Sequence, residues 1–208
     1  MREVDYWGIN DSFSENLPDC ENGLFLELGL KERIRAVEIA KYLRGENKSN
    51  SKIIGRTFFK LIEKQFTYLF CVNAEFEDEI LCKVVQCDKK DTPYVMIFVN
   101  EKLSLTERMV YTLCGFYWYI TQGVIKNKSI YTISRNNKMK AIAENLYFTS
   151  HYLLPDDVLY NSEIYRFHNY AKIYSVCRQL SLNYEVPIEL LLNRIPEKQY
   201  RGIYYISH

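Results

Sequence analysis

The sequence predicts an α+β protein: a small three-stranded sheet packed on helices, followed by a helical C-terminal region. Three observations carry that expectation. Strand-like segments cluster in one place, as "TYLFCVN" (67–73), "EILCKVV" (79–85) and "PYVMIFVN" (93–100), separated by acidic or Lys-Asp turns. Helical spacing precedes and follows this cluster and does not alternate with its strands. Tyr 18 and Phe 11 are many while Gly 8 and Pro 5 are few, which favours large side chains in a core or on a surface meant for a partner.

Composition sets the outer bounds. A chain of 208 residues has room for one large domain or two small ones. Hydrophobic residues at 48% and charged residues at 25% describe an ordinary soluble globular protein. A net charge of +1 gives no global footprint for nucleic acid or membrane. With no run of about 18 apolar residues and no basic segment leading into an apolar one, a cytoplasmic protein without membrane association is expected.

The elements follow in order. Residues 1–27 read as an irregular N-terminal arm. "LKERIRAVEIAKYLR" (30–44) places Leu30, Ile34 and Val37 near helical spacing, with Gly45 as the expected stop. "GENKSNSK" is a polar loop and the natural linker, and "RTFFKLIEKQF" after Gly55 reads as an amphipathic helix. Behind the strands, "SLTERMVYTLCGFYWYITQG" (104–123) opens with an S-x-x-E capping box, Ser104 and Glu107. After Arg108 every residue to Ile120 is apolar, small, Thr or Tyr, so this helix is expected to be buried on nearly all sides. A polar stretch (124–140) leads to a helix closed by Pro155, a Tyr-rich helix over 160–177, and a helix–turn–helix over 179–195 that turns at Pro187.

The six cysteines (Cys20, Cys71, Cys82, Cys87, Cys114, Cys177) contain no CxxC pair. Cys71, Cys82 and Cys114 lie in apolar runs, where cysteine acts as a small hydrophobe. A zinc knuckle from Cys82 and Cys87 needs two more clustered ligands, and the only histidines are His151, His168 and His208.

At this point the order of motifs resembles the ImmA/IrrE-type family of zinc-dependent peptidases. There an "I-x-V-N" strand and "LS-x-x-R-x-R-F-T-L-A" lead into H-E-x-x-H; here the chain gives "IFVNEKLSLTERMVYTLCGFYWYI". The family's downstream "A-N-x-F-A-x-x-L-L-x-P" is matched by "NLYFTSHYLLP" at Phe148, Leu153 and Pro155, and its closing "LA-x-x-Y-x-V-S" by Leu180, Tyr184, Val186 and Arg194. The resemblance spans about residues 55–195. It implies a zincin-like fold, with an N-terminal arm and helix (1–50), a metallopeptidase-like domain (51–158) and a helical C-terminal region (159–208).

The departures define the functional expectation. With Thr112 and Leu113 in register, the two zinc histidines fall on Gly115 and Tyr119 and the general-base Glu on Phe116. The acidic third ligand falls near Ile142, two positions from Glu144. An HExxH helix works because i and i+4 imidazoles grip one metal while the Glu faces the bound water; Gly115, Phe116 and Tyr119 can do none of this. No metal, no cofactor and no catalytic residue are therefore expected. The resemblance implies a pseudo-peptidase that regulates by binding a protein, such as the repressor of a phage or mobile element. Its binding surface is expected to include Phe98, Asn100, Tyr117, Trp118, His151 and Tyr152.

Two alternatives come from other residues. A DNA-binding regulator would use 176–195 with Arg178, Asn183, Asn193, Arg194, Lys198 and Arg201, although "PIELLLNRI" is too apolar for a recognition helix. A hydrolase with non-standard ligands would need His151, Glu144 and the Asp156/Asp157 pair. Cys114 lacks a neighbouring base and is not expected to be a nucleophile.

Overall fold

The computed structural model describes residues 24–46, 66, 68–87, 94–123, 130–135, 139–167 and 170–195. The arm before residue 24, the loop after Glu46 and all but Phe66 of the helix expected at 56–66 lie outside the described residues, as do Cys20, His168, Lys198, Arg201 and His208.

Leu24–Glu27 forms a 3-10 turn and helix α1 runs Leu30–Glu46. Glu32 starts it by accepting the Gly29 N–H at 2.6 Å, and the helix continues one residue past Gly45. Ala36, Ala40 and Leu43, spaced at helical periods, are buried.

The strands are β1 Leu69–Ala74, β2 Ile80–Cys87, β3 Tyr94–Asn100 and β4 Ile130–Ser134, in the order β1-β3-β2-β4. β1 runs parallel to β3, and β2 is antiparallel to both β3 and β4. The sheet thus has four strands, where the sequence predicts three. The missed strand, "IYTIS", is an edge, and only Ile133 of its residues is buried. An edge strand with one inward anchor carries too little alternation to stand out from a polar stretch.

Helix α2, Leu105–Trp118, starts as its motif predicts. Ser104 Oγ accepts the Glu107 N–H at 3.3 Å, and Glu107 Oε2 accepts the Ser104 N–H at 2.8 Å. The helix is buried from Met109 to Trp118 and lies across the sheet. Gly115 allows the close approach: a Cβ there would stand 2.9 Å from Val84 Cγ2, 3.1 Å from Cys82 Sγ and 3.3 Å from Ile97 Cγ2. The chain leaves α2 through one π-helical turn, Tyr119–Gly123, where Thr121 Oγ1 donates to the Tyr117 carbonyl at 2.7 Å.

Helix α3, Met139–Leu153, packs against both α1 and α2. The helix expected over 160–177 is divided: α4 spans Asp156–Asn161, a 3-10 turn Ile164–Arg166, and α5 Tyr170–Tyr184. Glu163 sits between them in the left-handed region, φ 58, which interrupts helical hydrogen bonding. Helix α6 (188–195) follows Pro187, as the helix–turn–helix pattern predicts. One cluster of buried side chains takes Phe25 and Ala36, the inner face of the sheet, α2 and α3, and then Cys177, Leu190 and Ile195. All three segments drawn from the sequence share it.

Candidate functional site between helices α2 and α3

The face of α2 that meets α3 presents Cys114 and Tyr117. Cys114 Sγ lies 3.6 Å from Thr149 Oγ1, and its carbonyl accepts from Asn145 Nδ2 at 3.1 Å. The Tyr117 ring stacks on Phe148 at 4.6 Å, and its hydroxyl donates to Glu144 Oε1 at 2.5 Å. From α1, Arg35 donates to the same oxygen through Nε at 2.9 Å and Nη2 at 2.6 Å. Three donors from two helices therefore converge on one carboxylate oxygen of a third.

Beside this knot opens a cleft of about 240 Å³, lined by Leu28, Glu32, Trp118, Tyr131, Glu144 and Asn145 among others. The Trp118 and Tyr131 rings stack in parallel, 4.6 Å apart and 4° from coplanar, and form one wall. Burial pushes the Tyr117 phenol well above its ordinary value, and the Glu144 hydrogen bond adds to the rise while Arg35 opposes it. Tyr117 is thus a donor, not a base, at neutral pH. The hydrogen bond to Glu144 is the first cause that raises the Arg35 guanidinium. Burial pushes the Cys114 thiol up to about 12, so it is no nucleophile there.

The residues singled out in the sequence are placed differently from one another. Gly115 faces the sheet and not Glu144. Phe116 is buried against Phe66, with ring centroids 4.7 Å apart. Tyr119 is half-buried at the start of the π turn. The residue that meets Glu144 is Tyr117, which no motif marked for that role.

The expected binding surface is corrected by burial. Asn100, Tyr117, Trp118, His151 and Tyr152 are all buried, with 7% or less of their surface exposed, so they make no open face, and of the five only Trp118 lines the cleft. Asn100 is instead a turn-holding residue: its Nδ2 donates to the Ile80 carbonyl at 2.8 Å and its Oδ1 accepts the Lys102 N–H at 3.1 Å. Phe98 alone is partly open, on the sheet face away from α2.

His151 and Asp156 do approach, at 3.5 Å, but Arg194 stands with them. The Arg194 guanidinium is fully buried: it donates to the Ser150 carbonyl at 2.9 Å, to the Leu154 carbonyl and to Asp156 Oδ1, and Nη2 lies 3.4 Å from His151 Nδ1. A permanent cation occupies the point where a metal between His151 and Asp156 would sit. Glu144, seven residues earlier on α3, is about 10 Å away along the helix axis and belongs to the other cluster. Among the described residues, no group of three or more His, Cys, Asp or Glu side chains is placed to hold a metal ion. Asn193 and Arg194, offered for DNA contact, are both buried, and Asn193 Oδ1 accepts the Leu24 N–H at 2.9 Å.

Neither Arg35 nor the structural role of Arg194 was marked by any pattern in the sequence; Arg35 acts on a partner 109 residues away and Arg194 on partners 38 to 44 residues away. No helix among the described residues is long and apolar enough to cross a membrane. Comparison of the chain with protein-family models, with curated proteins and with solved structures gives no match.

Proposed function

We propose that this chain is a catalytically silent relative of the ImmA/IrrE-type peptidases, zincin-like in fold, that works as a regulator by binding a protein. The order of elements supports it: a sheet strand ending in Asn100, a capping-box helix across that sheet, and a second helix carrying Glu144 toward the first. The observation that carries the proposal is the occupied state of Glu144. In the family a downstream acidic side chain completes the metal site; here the nearest carboxylate takes three hydrogen bonds from Tyr117 and Arg35, Tyr117 standing at neither of the positions, Gly115 and Tyr119, on which the family's imidazoles fall. Tyr117 and Phe148 fill the space between the helices with stacked rings. The bonds take up one oxygen of Glu144, Oε1, with a phenol and a guanidinium in place of a metal.

The experiment is elemental analysis of purified protein together with a peptidase assay on helix-turn-helix repressor substrates. The reading expects sub-stoichiometric zinc and no cleavage. Stoichiometric zinc with cleavage would overturn it.

A further inference from the structure

The cleft beside Glu144 carries hydrogen-bond acceptors that the described residues do not use. Glu144 Oε1 takes all three bonds from Tyr117 and Arg35, and Oε2 accepts none from any described residue. Glu32 Oε2 is fixed by the Gly29 N–H at 2.6 Å, which leaves Oε1 without a described donor. Asn145 is only 7% exposed, and its Nδ2 donates to the Cys114 carbonyl at 3.1 Å. A carbonyl accepts only from the nitrogen end of an amide, so that bond also fixes which atom is Oδ1, and Oδ1 has no described donor. Buried amide oxygens normally find one. All three residues line the same cleft, one from α1 and two from α3.

We propose that this cleft binds a guanidinium group on a short alkyl stem, the head of an arginine. Its N–H groups would be shared among Glu32, Glu144 and Asn145, with its plane against the Trp118–Tyr131 wall. Three unused acceptors call for a ligand rich in donors, and a guanidinium has five donors and no acceptor. Charge fixes the sign. Among the described side chains Glu32 and Glu144 bring two negative charges and Arg35 one positive, so a monocation completes the balance. The wall selects the shape: two parallel rings 4.6 Å apart present a flat π surface, on which a planar guanidinium stacks better than a strongly hydrated ammonium. A divalent metal fits less well, since calcium takes six to eight oxygens and the cleft offers two carboxylates and one amide. Size agrees as well: 240 Å³ is the room of about eight waters, enough for a guanidinium and its stem. The inference goes beyond the pseudo-peptidase reading, and zinc content does not enter its test, so the two fail separately.

The test is titration of N-acetylarginine methylamide into the full chain, to about 20 mM, followed by the Trp118 indole N–H resonance. The indole signal should move saturably. The citrulline counterpart, a neutral isostere, should bind about tenfold more weakly, and the lysine counterpart about threefold more weakly. Glu32→Gln keeps an acceptor for the Gly29 N–H at an exposed position and should weaken binding about three- to tenfold; Glu32→Lys, with native circular dichroism, should abolish it. Free arginine, run in parallel, assigns the source. Tighter binding of the capped compound points to an arginine of a partner protein, and tighter binding of free arginine to a small molecule; both keep the guanidinium. No saturable shift overturns the proposal, and so does a cleft already closed by this chain's own residues. Equal binding of the citrulline or lysine compound, indifference to Glu32→Lys, or displacement of the probe by millimolar calcium also overturns it.

Discussion

Gly115→Ala tests how α2 lies on the sheet. The added Cβ would stand 2.9 Å from Val84 Cγ2, about half an ångström inside ordinary contact, with Cys82 Sγ and Ile97 Cγ2 also close. Two of these neighbours are methyls of β-branched side chains, which have few rotamers to retreat into. Overpacking of this kind costs about 1–3 kcal/mol. Alanine in a helix interior returns about 1 kcal/mol relative to glycine. The net expectation is destabilisation by about 1 kcal/mol, or a Tm lower by about 2–4 °C at this chain length. Val84→Ala alone should cost about 2 kcal/mol by leaving a cavity. Combined, the two should cost less than their sum by about 1 kcal/mol, because each relieves the other's misfit. Urea unfolding at pH 7 with all four proteins gives the coupling energy directly. If Gly115→Ala stabilises by the full propensity gain and the pair is additive, Gly115 does not abut the sheet. The same geometry predicts that Gly115→His with Phe116→Glu and Tyr119→His yields no zinc-binding helix, since an imidazole at 115 would enter the sheet. Stoichiometric zinc on a folded triple variant would refute that.

Other expectations can be tested alongside. Asp156→Asn leaves the buried Arg194 guanidinium without its carboxylate and should cost about 3–5 kcal/mol in urea unfolding, so unchanged stability would dissolve the cluster. Glu144→Gln removes a half-exposed ion pair with Arg35 and should cost about 1 kcal/mol or less, a larger loss implying a deeper role for the knot. Cys114, with its thiol pushed up to about 12, should resist iodoacetamide at pH 8 in the native protein and react only on unfolding, as read by mass spectrometry. Burial raises the Glu189 carboxyl, so the folded state disfavours its ionised form. Stability contributed by the protonated acid is present below the unfolded value and is lost as pH rises through the folded one. Glu189→Gln should therefore stabilise at pH 7 and have no effect near pH 4, where an equal effect at both would contradict the burial argument.

The backbone plan was readable where a local rule fixes it. Ser104 and Glu107 mark the start of α2 because both halves of a capping box lie within four residues, and the three long strands announce themselves by apolar content. β4 escaped because an edge strand needs one inward residue. The break at Glu163 escaped because a glutamate in the left-handed region carries no signature in sequence. Site residues fared worse for a different reason. Trp118, His151 and Tyr152 are amphipathic side chains that occur at interfaces and in cores alike, and only packing against Tyr131, Tyr147 and Phe148 decides for the core. Arg194, read as a basic group for solvent or phosphate, is fully buried, because the end of α3 and the start of α4 present carbonyls and a carboxylate that only the folded chain brings to it.

The order β1-β3-β2-β4 has a consequence for how the molecule assembles during synthesis. Its fourth strand is made after α2, so when α2 first settles on three strands the outer edge of β2 is unpaired. Trp118 then lacks Tyr131, the ring that stacks on it in the finished fold. A nascent chain that has just exposed residue 123 outside the ribosome carries an open strand edge and an uncovered indole side by side. Both close in one step when 130–134 arrive. A truncation before those residues would leave both uncovered, where the chain is most prone to stick to itself.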